Sequence, residues 1–218
     1  MNDITLETRD GFDLAVTIEP DQDSGAPWDN SDGHGPVTDW TTSSKSPGQL
    51  VLARGLRAGR SKRFYNWQEA CALALRDEWG VSPYSLTIDA STRNPGMYQA
   101  TAHHFDSDNH LAAITSDWCD CPNMARAQTY AMHRATMSPR AYAALAASQD
   151  FARLKSWCDD QWNYVGIIVT ASRAGIELAS ASLWGIESDS ADYLTECANE
   201  LAQEAMTDAQ AAIAALME

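Results

Sequence analysis

Positive charge is scarce in this chain and, past residue 173, absent. Fifteen Lys and Arg stand against 30 Asp and Glu in 218 residues, a net charge of −15 with the five His neutral. From Ala174 to Glu218 there are nine acids and no Lys, Arg or His. That balance repels phosphate, so direct DNA binding is not expected, whereas a basic partner is. Long apolar runs are also missing. No stretch nears the ~20 residues of a membrane-spanning helix, and no apolar segment opens the chain as a secretory leader would. The expectation is therefore cytoplasmic, with no membrane contact. Cysteine is sparse: Cys71, Cys119, Cys121, Cys158 and Cys197 make an odd count at irregular spacing, as in free thiols of a reducing compartment. There is no P-loop, no G-x-G-x-x-G after a strand, no H-E-x-x-H and no G-x-S-x-G. Catalysis is not the expectation, and no catalytic residue is assigned.

What is present argues for a folded α+β protein. Hydrophobic residues make up 44% of the chain and include eight Trp, enough for a real core at this length. "ITLET" and "FDLAVTIEP" read as strands around the turn Asp10-Gly11, and residues 20–49 read as a long ordered loop. "QLVLAR" is a third strand. A helix follows with Phe64, Trp67, Cys71 and Leu75 on one face and a stop at Gly80. "YSLTIDA" and "MYQATAHHF" flank the turn Asn94-Pro95-Gly96. Helices are expected from Pro122 to Met137 and from Arg140 to Trp162, the second with the stripe Ala147, Phe151, Leu154, Cys158 and Trp162. "YVGIIVTAS" and "GIELASASLWGI" form a last hairpin. This gives an antiparallel sheet of short hairpins with packed helices. Three segments follow: 1–80 with strands, loop and first helix; 81–135, irregular and insert-like; and 136–218, expected to form one compact domain with 1–80.

The final stretch is a helix of unusual surface. Leu194, Cys197, Ala198, Leu201, Ala205, Ala209, Ala212 and Leu216 repeat at helical period. Asp192, Glu196, Glu200, Glu204 and Asp208 stand at strict four-residue steps with no counter-charge. Like charges one turn apart repel by about 0.2–0.5 kcal/mol per pair. Carboxylates at that spacing lie roughly 6 Å apart along the axis, close to the separation of neighbouring phosphates. With Glu187 and Asp189 extending it, the row can imitate a nucleic-acid backbone; a solubilising acidic face is the plainer alternative. The apolar face can pack internally or against a second copy.

Other constellations carry less. His103, His104, Asp106, Asp108 and His110, with Cys119 and Cys121, are the densest ligand set, and nitrogen with thiolate would take zinc in a zinc-stabilised interaction module. Otherwise no cofactor is expected. "WDNSDGHG" fails as a Ca²⁺ loop, because aligning Gly33 with the invariant glycine puts Trp28 at the first ligand; it reads as a structural turn. Arg126 and His133, seven apart, have the spacing of the R-x(4–6)-H motif of HEPN ribonucleases, or else lie on a solvated helix face. Arg54, Arg57, Arg60, Lys62 and Arg63 crowd a third of the basic residues into ten positions. Such a run touches phosphates in other settings, but here it reads as a surface loop or an internal partner of the acidic helix.

Three stretches, "PWDNSDGHGPVTDWTTSSKSPGQLVL", "SKRFYNWQEACALALRDEWG" and "WCDDQWNYVGIIVT" followed by "SLWGIESDSADYLTECANELAQEA", together resemble an uncharacterised family of small proteins carried by bacteriophages and prophages. The resemblance lies at both ends of the chain and not in residues 81–135. It implies an accessory protein acting in a bacterial host cytoplasm and brings no site residues. The functional expectation that joins these readings is a phage-encoded, non-enzymatic inhibitor. Its target would be a host nucleic-acid-binding complex of the defence, restriction or CRISPR type.

Overall fold

The computed structural model describes residues 4, 6–30, 33–55, 60–105 and 110–216. Among them are five helices and eight strands, all strand pairs antiparallel, in three small sheets. The protein is α+β. Contacts divide the chain into two compact units, residues 1–30 with 156–218 and residues 31–155. The division differs from the three sequence segments: residues 31–80 group with 81–135, and only the start of the chain joins its end.

The first unit is a three-stranded sheet with one long helix on it. Strands β1 (Asp13–Pro20), β7 (Tyr164–Arg173) and β8 (Ile176–Glu187) stand in the order β1-β7-β8, beside the short α1 (Pro27–Asn30). The β7–β8 turn is Ala174-Gly175, both at positive φ (52° and 78°), the conformation that matches the twist of paired strands. Val165, Ile167, Val169 and Ala171 alternate on β7 and are buried against α5 (Ala191–Leu216). From the helix come Leu194, Cys197, Ala198, Leu201, Ala202, Ala205, Met206 and Ala209. Its alanines let the helix backbone approach the sheet closely. On the opposite face of β7, Gly166 leaves room for the Trp184 ring, which an added Cβ would strike.

The Asp10-Gly11 turn also forms (φ 52° and 78°), with Arg9 and Phe12 exchanging backbone hydrogen bonds of 3.2 and 2.8 Å. Residues 6–8 do not continue it as a strand, because Leu6 packs on the core instead of pairing with β1.

In the second unit β2 (Gln49–Arg54) pairs with β3 (Lys62–Asn66), and α2 (Trp67–Arg76) follows directly. Asn66 caps α2: its side chain accepts from Glu69 N–H and donates to the Glu69 carboxylate at 2.7 Å. The cap places Phe64 in β3 and turns Ala70 and Ala74 inward; Leu75 is exposed, so the expected face Trp67, Cys71, Leu75 is not the buried one. A second sheet, β4 (Ser85–Ala90), β5 (Tyr98–Phe105) and β6 (Leu111–Thr115), carries α3 (Pro122–Ala135). Helix α4 (Pro139–Cys158) passes from this unit into the first at residue 155. It stops before the expected Trp162 because Asp160 takes φ 57°. Trp162 is buried beyond the helix end, its indole donating to Ser156 Oγ at 3.0 Å.

One buried carboxylate anchors the long loop. Asp150 on α4 accepts from Gly35 N–H (2.8 Å) and the Tyr65 hydroxyl (2.7 Å), and His34 Nδ1 lies 2.5 Å from its other oxygen. Burial, and then the Asp150 carboxylate, holds the Tyr65 phenol far above its ordinary range, so it remains a donor. Gly166→Ala is expected to lower stability by about 1–3 kcal/mol through overpacking against Trp184. Asp150→Ala, which strands the buried Gly35 N–H and leaves the Tyr65 hydroxyl only its 3.3 Å bond to the Ala147 carbonyl, is expected to cost about 2–5 kcal/mol. Urea unfolding of both variants checks these figures.

Candidate functional site

Packing fixes the phase of α5, and the phase puts its acids outside. With eight residues of the helix held against β7 and its neighbours, Asp192, Glu196, Glu200, Glu204 and Asp208 are all exposed. None of the five enters an ion pair among the described residues. At about 1.5 Å and 100° per residue, the row runs about 24 Å and winds about 160° around the helix. Asp189 is exposed and Glu187 half-buried just before the helix, and both make contacts of their own.

The rest of the helix's own unit adds little positive charge. The first unit has 19 acids and two cations, Arg9 and Arg173, a formal charge of −17. Arg173 lies over the Phe12 ring at 5.9 Å. Arg9 donates to the amide oxygen of Asn199 on α5 at 2.9 Å. The Tyr193 phenol is pushed up chiefly by Cys197 and by burial, with smaller contributions from Glu200 and Glu196. At the head of the row lies a cavity of about 640 Å³, lined by aliphatic Ile18, Val165 and Leu194 and by Asp189 and Asp192. That volume lies in the range of small-ligand pockets.

The His and Cys set is not gathered in the same way. Neighbouring strand residues point to opposite faces, and His103 and His104 on β5 do so. His103 Nδ1 meets Ser85 Oγ at 3.0 Å, while His104 is buried. His110 is exposed and makes a contact of its own. Cys119 is held by backbone pairing with Tyr98, and Cys121 precedes α3 in an extended conformation. Asp106 and Asp108 lie outside the described residues. Among the described residues no three His, Cys, Asp or Glu side chains converge as metal ligands. Arg126 and His133 also part company: Arg126 is exposed and His133 is 2% exposed, so the two do not face a common surface.

Two constellations escaped sequence reasoning. His104 and His133 stack at 3.4 Å between ring centroids, with Tyr142 edge-on to His133 at 5.7 Å. Among the described residues, His104 Nε2 and both nitrogens of His133 have no hydrogen-bond partner. The other is the Asp150–His34–Tyr65 anchor. Their members are 29 and up to 116 residues apart, and no local spacing signals either one. Comparison of the chain with protein-family models, curated proteins and solved structures gives no match.

Burial, then His133 and His103, lowers the His104 pKa to about 4, and burial lowers that of His133. A folded-state pKa below the unfolded value of about 6.5 means that the unfolded chain binds the proton more tightly. Stability from the stack is therefore complete above about pH 6.5. It declines as pH falls toward 4, by at most about 1.4 kcal/mol per pH unit for each proton. Urea midpoints at neutral and mildly acid pH should show this slope, and His133→Phe should reduce it to the share of the still-buried His104.

Proposed function

We propose that this protein is a non-enzymatic binder of a basic, nucleic-acid-binding protein complex, which docks on the acidic row of α5 as it would on a phosphate backbone. The observation that carries the reading is the set of five exposed carboxylates at four-residue steps, in a unit with only two cations. Each like-charged pair one turn apart costs about 0.2–0.5 kcal/mol in the isolated protein. A cationic groove turns that repulsion into attraction and releases condensed counterions, as it does on binding nucleic acid. The cavity at the head of the row suits an Arg or Lys side chain from the partner. Its aliphatic walls would take the stem, and Asp189 with Asp192 would face the charged end.

The resemblance to phage-borne proteins directs the proposal toward a host target. A phage product that occupies the nucleic-acid groove of a defence, restriction or CRISPR-type complex would inhibit it without catalysis. No cofactor enters this mechanism.

The test is affinity capture from nuclease-treated bacterial lysate, with affinity for the captured complex then measured against salt. Binding should weaken steeply as salt rises and be displaced by added DNA or RNA. Glu196→Lys with Glu200→Lys should weaken it by about 10-fold or more, the scale of two lost charge contacts. Binding that is indifferent to salt and to this double reversal would overturn the proposal.

A further inference from the structure

The second unit has the opposite electrostatic character. Residues 31–155 hold 13 of the 15 Lys and Arg against 11 acids, a formal charge of +2. Six of those cations fall in residues 36–63, where the single acid is Asp39. Here the backbone forms a narrow antiparallel ribbon. β2 pairs with β3 so that Arg54 stands opposite Lys62 and Ala53 opposite Arg63. Residues 36–41 run along the other side of β3, Thr41 and Lys62 exchanging backbone hydrogen bonds of 2.9 and 2.7 Å.

That pairing sets Trp40 beside the charged end of the ribbon. Trp40 is 49% exposed as a residue, and the Arg63 guanidinium lies over one face of its ring at 5.1 Å. Arg54 and Arg60 are exposed and Lys62 half-buried, and none of the three enters an ion pair among the described residues. Arg57 lies outside the described residues. Alternation puts Arg54 and Lys62 on one face of this narrow ribbon end and Arg63 with Trp40 on the other, so a strand that crosses the end meets both. Cations with no ion pair among the described residues and an exposed aromatic are the two elements that single-strand binders combine. Phosphates are held by charge, and a base stacks on the ring, gaining about 1–3 kcal/mol. A duplex keeps its base faces covered and gains only the charge term.

We propose that the β2–β3 ribbon binds single-stranded nucleic acid, with Arg54, Arg60 and Lys62 on backbone phosphates and Trp40 stacked on a base. The net charge of −15 argues against nucleic-acid binding only for the chain as a whole. Fields between exposed groups are screened within about 8 Å at physiological salt, and this unit is not itself acidic. The site is distinct from the acidic row and does not depend on that row having a protein partner.

The test is fluorescence anisotropy of a labelled oligothymidylate of about 12 nucleotides, titrated with the full-length protein from about 20 to 200 mM salt. Three phosphate contacts predict a log–log salt slope of about −2. Arg54→Glu with Arg60→Glu should reduce affinity about 10-fold or more. Circular dichroism checks that the fold survives, and the Arg54→Gln, Arg60→Gln pair serves if reversal unfolds the protein. Trp40→Ala should weaken binding to the oligothymidylate about 5-fold or more while leaving an abasic strand of equal length unaffected. The proposal is overturned by no binding at the lowest salt, by undiminished binding of the charge variants, by equal affinity for a blunt duplex, or by equal loss on both strands.

Discussion

The seating of α5 on the β1–β7–β8 sheet is the constraint on which the proposed interaction surface depends. β7 supplies a row of buried branched residues, Val165, Ile167 and Val169, and α5 meets it with Ala198, Ala202, Ala205 and Ala209 among larger side chains. Small residues bring the helix close, and close packing allows one rotation about the helix axis. Once that rotation is set, the five acids have no direction left but outward. The same seating makes their mutual repulsion tolerable. Apolar burial returns about 25 cal/mol for each Å², and a contact along most of a 26-residue helix outweighs four weak charge pairs.

Charge is partitioned along with structure. Acids collect in the unit formed by the two ends of the chain, at −17, and cations collect in the unit between them, at +2. A single figure of −15 hides this, because the chain enters and leaves the second unit at residues 31 and 155. Bulk composition therefore describes neither surface. The acidic helix and the basic ribbon belong to different units of opposite formal charge.

Much of the local structure was legible because it rests on period and turn chemistry. The α5 stripe, the β7–β8 hairpin at Ala174-Gly175 and the strand Gln49–Arg54 follow from residues a few positions apart. What could not be read rests on distant partners. β1 pairs with a strand about 150 residues later (Asp13 opposite Ser172), so the grouping of chain ends into one unit has no local signature. β6 is five residues long, exposed along most of its length, and shows no alternation. In α2 the face was misjudged because a cap at Asn66, not the apolar pattern, sets where the helix begins. Of the candidate site, the row of acids was visible in the sequence. Its exposure and the adjoining cavity required the fold.

The most direct measurement of the central claim is carboxylate footprinting by carbodiimide coupling and mass spectrometry, on the protein alone and on its salt-sensitive captured complex. The account predicts that Glu196, Glu200 and Glu204 label readily in the free protein and are protected in the complex. Acids that are not part of the row, such as Glu69 and Asp77 of the second unit, should label equally in both. Unchanged labelling along α5 in a complex that nonetheless forms would contradict the account, and would leave the acidic row a solvated face.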